Sequence, residues 1–373
     1  MLTLALCGDV MLGRGVDQIL PHPGDPSLRE RYVGDAREYV RLAEAANGPI
    51  PLPRDAAWPW GDALDVLDDA APQARVINLE TAVTRCPDAM PGKPIHYRMN
   101  PANLPSLTAA RPDCCVLANN HVLDFGRGGL AETLEALGAC GLQVAGAGRD
   151  ADEAWRPAVI PTAAGRVLVL AFGVASSGIP ASWAATRSRS GVAFVPELSA
   201  TQAEIVVGRV RRQKRPGDVV IASVHWGPNW GYDVGPDERR FAHALIDGGV
   251  DLVHGHSSHH PRPIEVYRQR LVLYGCGDLV NDYEGIGGHA RYRSDLRLLY
   301  LASIRPGTGE LVRLRMTPLQ AQRMRLRRAR REDAQWLRTV LDRRSRDLAA
   351  QVEMDDDGTL VVHHAGRAGP VDG

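Results

Sequence analysis

The chain has 373 residues, 44% of them hydrophobic, and a formal net charge of zero. This balance excludes a protein that is drawn to nucleic acid or to an anionic membrane by its overall charge, so an anionic substrate has to be bound by local charges. Because α/β folds can reach about 250 residues as one unit, the length predicts one large domain over residues 1–320. We expect residues 321–365 to form an extension and residues 366–373 a disordered tail.

The cysteines and the N-terminal segment indicate a reduced, cytoplasmic protein. None of the six cysteines lies in a CxxC pair, and a free thiol in an apolar run packs as a small hydrophobic side chain. Residues 1–7 lack the basic start of a signal peptide and are predicted to form the first strand. No segment provides the roughly 18 consecutive apolar residues that a membrane-spanning helix requires.

The first strand leads into a turn that carries a carboxylate. Asp9 follows Gly8 at the strand end, where the backbone can approach an ion, although Gly-Asp is equally typical of a plain turn. Arg14 could bind a phosphate or a carboxylate in a bidentate pair, whereas a surface salt bridge is the commoner role of one arginine. Residues 20–60 are rich in proline, glycine and charged residues, and predict a long loop or lid with little secondary structure.

The next predicted strand covers residues 74–77 and leads to Asn78 and Glu80. These two side chains point to the same side because side-chain directions alternate along an extended chain. An amide and a carboxylate therefore converge, although a capped turn is the commoner explanation of such a pair.

A further buried strand at residues 113–118 ends in a turn that precedes a helix. The turn carries Asn119, Asn120, His121 and Asp124. Asx residues favour such turns for local hydrogen bonding, which explains Asn119. For Asn120 and His121 together, a functional role is a better explanation than local hydrogen bonding in the turn.

Histidines are concentrated around two predicted strands, residues 219–222 and 250–253. Those at or just past the strand ends are His225, His254, His256, His259 and His260. Neutral imidazole is the commonest side-chain ligand of metals, and functional groups in open α/β sheets collect beyond the carboxyl ends of strands. A single histidine is more often a core or surface residue, but five in this arrangement favour a metal site.

The remaining periodicity predicts a mixed α/β fold. Strands are predicted at residues 143–145, 158–160, 167–172, 264–267 and 271–274, helices at 201–212 and 237–246, and an antiparallel hairpin at 296–304 and 311–317. Residues 323–346 predict a basic helix. Acidic residues are interspersed with its arginines, which favours a solvated amphipathic helix over a nucleic-acid-binding surface.

The candidate ligands are carboxylates, amides and imidazoles, with no thiolate among them. Such donors suit manganese, iron or zinc better than calcium or a cysteine-bound structural zinc. Ligands that arrive from separate strand ends, with one carboxylate able to bridge, are typical of a two-metal hydrolase whose ions lie about 3.5–4 Å apart. We therefore predict a site for two divalent transition-metal ions.

The order of these motifs resembles a known superfamily. Gly8-Asp9, Asn120-His121, His225 and Gly255-His256-x-x-His259 are similar to the motifs of the calcineurin-like metallophosphoesterases. Further motifs resemble the CapA family, which is associated with poly-γ-glutamate capsule synthesis; they span Gly8 to Arg14, Asn78 to Glu80, Ala118 to Gly126, Val224 to Gly227 and Tyr274 to Asp278. The resemblance covers residues 1 to about 300 and implies a four-layer α/β/β/α sandwich.

The resemblance also implies a role for each metal ligand. Asp9 and His259 would bind the first ion, Glu80 would bridge, and Asn120, His225 and His256 would bind the second. His254 and His260 are candidates for residues that orient these ligands by hydrogen bonding without binding the ions themselves.

The sequence departs from the superfamily pattern at two places. Met11 stands where a histidine usually binds the first ion, and the terminal Gly-His-x-His motif is lengthened to residues 255–259. The first ion is therefore expected to be weakly held, replaced by Arg14, or absent.

The reaction implied by the resemblance is metal-assisted hydrolysis of either a phosphoester or a γ-glutamyl amide bond. His121 would protonate the leaving group or stabilise the transition state, and Arg14 and Asp124 are the other catalytic candidates. The candidates for binding a small acidic or phosphorylated substrate are Asn78, Lys93, Arg98, Asn119, Trp226 and His260.

A second hypothesis is a binding protein without catalysis. In this hypothesis the domain is a partner of a γ-glutamyl ligase, binds acidic peptide and retains a vestigial metal site. Met11 favours this hypothesis, whereas the intact Asn120-His121 pair, His225 and His256 oppose it.

Overall fold

The computed structural model describes residues 1–364, so the predicted disordered tail at 366–373 lies outside the described part. The helices are α1 Arg14–Ile19, α2 Arg37–Asn47, α3 Ala63–Ala70, α4 Leu104–Thr108, α5 Gly126–Ala139, α6 Ala151–Ala154, α7 Ala200–Gln213, α8 Pro236–Asp247 and α9 Arg331–Ser345. Among residues 1–364, no helix has the length and apolar character needed to cross a bilayer.

The strands in chain order are β1 Leu2–Val10, β2 Ala74–Leu79, β3 Ala82–Val83, β4 Arg98–Met99, β5 Cys114–Val116, β6 Gln143–Ala145, β7 Ala147–Gly148, β8 Ala158–Thr162, β9 Gly165–Val174, β10 Gly191–Val192, β11 Phe194–Val195, β12 Val219–His225, β13 Leu252–His256, β14 Ile264–Tyr267, β15 Arg270–Leu273, β16 Asp278–Val280, β17 Leu296–Ile304, β18 Leu311–Ala321, β19 Leu326–Arg328, β20 Gln351–Met354 and β21 Leu360–His363. They confirm the predicted hairpin, which is formed by β17 and β18.

Two large sheets carry the fold. The ten-stranded sheet has the order β20-β21-β18-β17-β1-β2-β5-β6, with β16 paired to β1 and β19 to β18. The seven-stranded sheet has the order β11-β9-β12-β13-β15-β14, with β8 paired to β9. Strands β1, β2, β5 and β6 are parallel, and so are β9, β12 and β13. Each sheet therefore collects several carboxyl strand ends at one edge.

Alternating side chains of the two sheets build three cores that define four layers. Leu4 and Leu6 of β1 lie with Ile221 of β12 in a core between the sheets. Ala5 of β1 lies with Leu134 of α5 in a second core, under the helices that cover the ten-stranded sheet. A third core packs the outer face of the seven-stranded sheet against α7 and α8. This order of helix, sheet, sheet and helix confirms the predicted α/β/β/α sandwich.

Strand β12 illustrates how the fold sorts its side chains. Ile221 faces the other sheet and Ala222 faces the helices. By the same alternation His225 continues on the inner side, whereas Trp226 joins the outer core. His256 of β13 lies directly opposite His225 in the parallel register. The histidines therefore line the space between the two sheets.

The structure departs from the sequence predictions in two segments and at one cysteine. Residues 20–60 contain α2, so the prediction of little secondary structure is wrong there; Tyr39, Val40 and Ala43 form a buried face of that helix. The helix predicted at 323–346 is the shorter α9, because residues 326–328 pair as β19 with β18. All six cysteines are free, but Cys140 is exposed and therefore not a core residue.

Candidate metal centre

The carboxyl ends of strands from both sheets meet in the layer between them. Asp9 lies near the end of β1, and His225 and His256 end β12 and β13. His254 ties the sheets together, because its Nε2 lies 2.9 Å from the carbonyl oxygen of Cys7 in β1. Side chains that are far apart along the chain are thus held at one position.

Two groups of buried side chains bring their donor atoms close enough to bind an ion. The first group is Asp9, His225 and His256, and the second is Asp9, His259 and Asp278. Within each group the donor atoms lie within 4.8 Å of one another. Asp9 is common to both groups, which is the arrangement expected of a carboxylate between two ions.

The hydrogen bonding of Asp9 fits a cation. Its Oδ1 accepts a hydrogen bond of 2.8 Å from the side chain of Asn78, whereas its buried Oδ2 has no hydrogen-bond partner among residues 1–364. Burial and the charge of Asp278 raise the pKa of Asp9 to about 6. Burial and the charge of Asp9 raise the pKa of Glu80 well above its usual value. A divalent cation would compensate these crowded carboxylates and satisfy the free oxygen.

Glu80 is placed beside this carboxylate, but it belongs to neither group of donors. The residue shared by the two groups is Asp9. The bridging role of Glu80 therefore stays a prediction.

The histidines of the first group form a connected network. The Nδ1 atoms of His225 and His256 are 2.8 Å apart, and the Nε2 of His225 lies 3.1 Å from the Oδ1 of Asn120. Ser223 supports them, with its Oγ 3.0 Å from both His254 and His256. Burial lowers the pKa of His225 and of His256 well below the usual value, so both are neutral, which is the state that binds a metal. The structure thus brings together the three residues predicted to bind the second ion.

His259 is held by the carboxylate of Asp278. Its Nδ1 lies 2.9 Å from the Oδ1 of Asp278, and its Nε2 lies 3.1 Å from the side-chain amide of Asn229. Burial disfavours the imidazolium, but Asp278 outweighs this effect and raises the pKa of His259 above its usual value.

His121 stands at the edge of the two groups with a separate set of contacts. Its Nδ1 lies 2.7 Å from the Oδ2 of Asp124, and its Nε2 lies 3.8 Å from Glu80. The Nζ of Lys93 is 2.6 Å from the other oxygen of Asp124 and 3.0 Å from the Nδ1 of His121. The ring of Tyr97 stacks on the imidazole at 3.8 Å between centroids. Nδ1 therefore lies between the carboxylate of Asp124 and the ammonium group of Lys93, and Nε2 faces Glu80.

The prediction that Trp226 binds substrate is wrong. Trp226 is fully buried in the core between the seven-stranded sheet and its helices, and its indole N–H donates to the carbonyl of Tyr274 at 2.9 Å. The reason is strand alternation, which directs the residue after His225 away from the space between the sheets.

We expect Trp226→Ala to lower the free energy of unfolding by about 3–5 kcal/mol, because it leaves a large cavity in a packed core. The midpoint of urea denaturation measures this loss. Trp155→Ala, which removes a half-buried indole, should cost clearly less. A Trp226→Ala protein with unchanged stability would show that the indole is not a core residue.

Three other predicted substrate-binding residues are also buried and engaged. Asn78 donates to Asp9, and Asn119 donates to Asn78 while accepting from the backbone N–H of His121. His260 is fully buried and accepts a hydrogen bond from the backbone of Gly231. These contacts correct the predicted role: the three side chains position the turns around the centre and have no surface for a substrate.

The predicted anion-binding arginines are committed to protein partners. Arg14 is buried and pairs with Asp282 at 2.8 and 2.5 Å and with Glu30 at 2.8 Å. This contradicts the prediction that Arg14 is free to bind an anion or to replace a metal. Arg98 donates to the carbonyl of Cys86 and contacts Asp25, beside a cavity of about 180 Å³ outside the two donor groups. Of the predicted cations, Lys93 is the one in contact with His121.

Two residues of the site, Asp278 and Tyr97, have no role predicted from the sequence. Asp278 follows Gly277 at the edge of the sheet, which is the same Gly-Asp signal that identified Asp9. Tyr97 has no such signal, because its stacking on His121 depends on a loop that is distant from the strand ends.

Comparison with known proteins finds a matching family model and relatives whose names refer to related processes. Residues 3–283 match the family model described as bacterial capsule synthesis protein PGA_cap. A probable polyglutamine synthesis accessory protein of Mycobacterium tuberculosis is 54% identical over 97% of this chain and 96% of its own length. The PGA biosynthesis protein CapA of Bacillus subtilis is 26% identical over 86% of this chain and 71% of its own.

Two more distant matches extend this set. The capsule biosynthesis protein CapA of Bacillus anthracis is 25% identical over 75% of this chain and 60% of its own length. Among solved structures, the protein TT1561 of Thermus thermophilus aligns with a TM-score of 0.36 and 12% identity over 80% of this chain and 92% of that one.

Proposed function

We propose that this chain, which belongs to the bacterial capsule synthesis protein family, is a metal-dependent hydrolase of an acidic substrate. The bond cleaved is a phosphoester or a γ-glutamyl amide. The observation that carries the proposal is Asp9, whose buried Oδ2 has no hydrogen-bond partner in the described part of the chain and which belongs to both groups of side chains that could hold an ion. A buried carboxylate oxygen without a partner is costly unless a cation is nearby.

The ligands we propose for the ions are Asp9, Glu80, Asn120, His225, His256 and His259. Their oxygen and nitrogen donors suit manganese, iron or zinc. When bound, such ions lower the pKa of a coordinated water towards about 7 and polarise the bond to be cleaved.

His121 is the proposed proton donor to the leaving group, as an imidazolium that holds Nδ1–H against Asp124 and transfers Nε2–H. Because burial and the charge of Lys93 lower the pKa of this imidazole well below its usual value, the negative charge of a bound substrate has to stabilise the imidazolium. Asp124 orients the imidazole through Nδ1, so that Nε2 is directed towards Glu80 and the donor groups. Tyr97 restrains the ring by stacking, and its backbone N–H donates to Asp124 at 2.6 Å. A proton donor held in this way needs no reorientation during the reaction.

An acidic substrate is supported by the ammonium group of Lys93. Lys93 pairs with Asp124 and donates to the carbonyl oxygen of Ile95, and its side chain is 18% exposed, so it brings one positive charge to the edge of the site. The names of the relatives refer to polyglutamine synthesis, PGA biosynthesis and capsule biosynthesis. We therefore propose poly-γ-glutamate or a related acidic peptide as the substrate class.

A binding role is the second candidate. The relative from Mycobacterium tuberculosis is named an accessory protein, and Met11 stands where the superfamily pattern has a histidine. In this case the domain would bind acidic peptide next to a γ-glutamyl ligase without cleaving it.

The test is hydrolysis of generic chromogenic substrates by protein loaded with Mn²⁺, Fe²⁺ or Zn²⁺. We expect turnover of an aryl phosphoester or of a γ-glutamyl anilide with at least one metal, and none by the His225→Ala variant. Absence of turnover with every metal and both substrates, together with binding of oligo-γ-glutamate in a calorimeter, would establish the binding role instead.

A further inference from the structure

Asp278 is built into the candidate metal centre by strand pairing. The short strand β16 runs parallel to β1 and places Asp278 directly opposite Asp9 in the register. Both carboxylates are buried, at 2% exposure for Asp9 and 3% for Asp278. Neighbouring residues in register on parallel strands point to the same face, so the two carboxylates are side by side.

The contacts of Asp278 leave room for an ion. Its Oδ1 lies 2.9 Å from the Nδ1 of His259, and its Oδ2 accepts a hydrogen bond of 2.7 Å from Asn281. Asn281 is itself fixed, because it accepts a hydrogen bond of 2.8 Å from the buried Arg297. Each carboxylate oxygen has two lone pairs, so each retains one after these contacts. Beside it, the Oδ2 of Asp9 has no partner among the residues that the structure describes.

The charges at this position are compatible with a bound cation. Asp9, Glu80 and Asp278 are all buried here. Asp278 faces the imidazoles of His259 and His260 and the guanidinium of Arg297. Two carboxylates that are adjacent in low-dielectric surroundings repel each other unless a cation lies between them.

We infer that Asp278 is a direct ligand of the first metal ion and binds it together with Asp9 and His259, whose donor atoms lie within 4.8 Å of one another. This inference rests on the metal centre of the proposed function. It also explains how the first ion could bind although Met11 replaces the usual histidine, because an aspartate at the start of β16 supplies the donor that the methionine after β1 does not. A thioether is a soft ligand and is poorly suited to manganese or zinc, whereas a carboxylate suits both.

The alternative is that Asp278 only orients His259 through Nδ1, as carboxylates often do behind a metal-bound histidine. The two roles differ in one measurable respect. A positioning residue acts through His259, so removing His259 should abolish its effect. A ligand retains an effect of its own in the absence of His259.

The experiment is a Mn²⁺ titration of the full-length protein by calorimetry, with metal content from elemental analysis. The variants are Asp278→Asn, His259→Ala and the double variant. We expect the wild-type protein to bind two ions, and Asp278→Asn to retain one and weaken the other by about 100-fold or more. The double variant should bind more weakly than His259→Ala alone.

Asp218→Asn is the matched control, because Asp218 is a buried carboxylate that pairs with Arg166 before the start of β12. It should bind two ions as the wild-type protein does. If Asp278→Asn does not fold, Asp278→Cys with Co²⁺ provides a second test. A thiolate-to-cobalt charge-transfer band that is absent from the wild-type protein should appear, because residue 278 touches the ion.

Three results would overturn the inference. They are an Asp278→Asn protein that binds two ions with wild-type affinity, a double variant identical to His259→Ala, and a wild-type protein that binds fewer than two ions. The proposed function fails separately. If the wild-type protein binds two ions and Asp278→Asn loses one, but no substrate is hydrolysed, Asp278 is a ligand of a centre that does not catalyse hydrolysis.

Discussion

His225→Ala is expected to lose the transition-metal ion of its own donor group and to keep at most the ion held by Asp9, His259 and Asp278. The imidazole is fully buried, contacts His256 and Asn120, and belongs to the first donor group with Asp9. Removing an outer-shell partner of a metal site typically costs about 10–100-fold in affinity. The loss of a ligand should cost at least as much. Elemental analysis of the purified variant measures the result directly.

Thermal unfolding gives an independent readout of the same change. At a Mn²⁺ concentration about 100 times the dissociation constant of a site, each bound ion should stabilise the wild-type protein by about 2.7 kcal/mol. The His225→Ala protein should lose the share of this gain that the ion of the His225 site provides. His243→Ala is the control, since His243 is half-buried on α8, stacks on Tyr267 and pairs with Glu265 outside the centre. Retention of both ions by His225→Ala contradicts the proposed ligand set.

His121→Ala is expected to lower kcat by about 100-fold to 10,000-fold while both ions are retained. His121 belongs to neither group of donor atoms, but its Nε2 faces Glu80 at the edge of the centre. The variant therefore removes the proposed proton donor without removing a ligand. Turnover of the best chromogenic substrate, measured on protein of verified metal content, checks this result.

Asp124→Asn should reduce the same rate, because the amide can no longer hold the Nδ1–H of His121 as a charged acceptor. The two changes should not be additive, since they act on one unit. His22→Ala, on an exposed histidine, serves as the control with unchanged turnover. Full activity of His121→Ala would exclude the imidazole as the proton donor, and loss of metal would make it a ligand instead.

Local sequence patterns were sufficient to predict the strands that carry the site. The apolar runs before Asp9, Asn78, Asn119 and His225 each form a parallel strand, and polar residues at their ends meet at one edge. The reason is that strand alternation and parallel topology are both encoded by short-range periodicity. The same alternation could have assigned Trp226 to the outer core, because it follows the inward-facing His225.

Residues whose partners are distant in the sequence could not be assigned in this way. Arginine is a residue type that often binds anions, but the guanidinium of Arg14 is paired with Asp282 from the other end of the domain. The helix α2 in residues 20–60 forms where a buried face, including Tyr39, packs onto the body. Neither outcome follows from local composition, because both depend on which segments pack together.

The amino-acid order alone specifies the strand ends and most of the donor side chains, because each depends on a pattern of a few neighbouring residues. The four layers were predicted from the resemblance to a known family and not from local patterns. The folded molecule decides which donors share an ion. Asp278 lies beside Asp9 only because β16 pairs with β1, and Lys93 reaches Asp124 only because its loop folds over the turn. Such contacts join residues across long sequence separations, and no local periodicity records them.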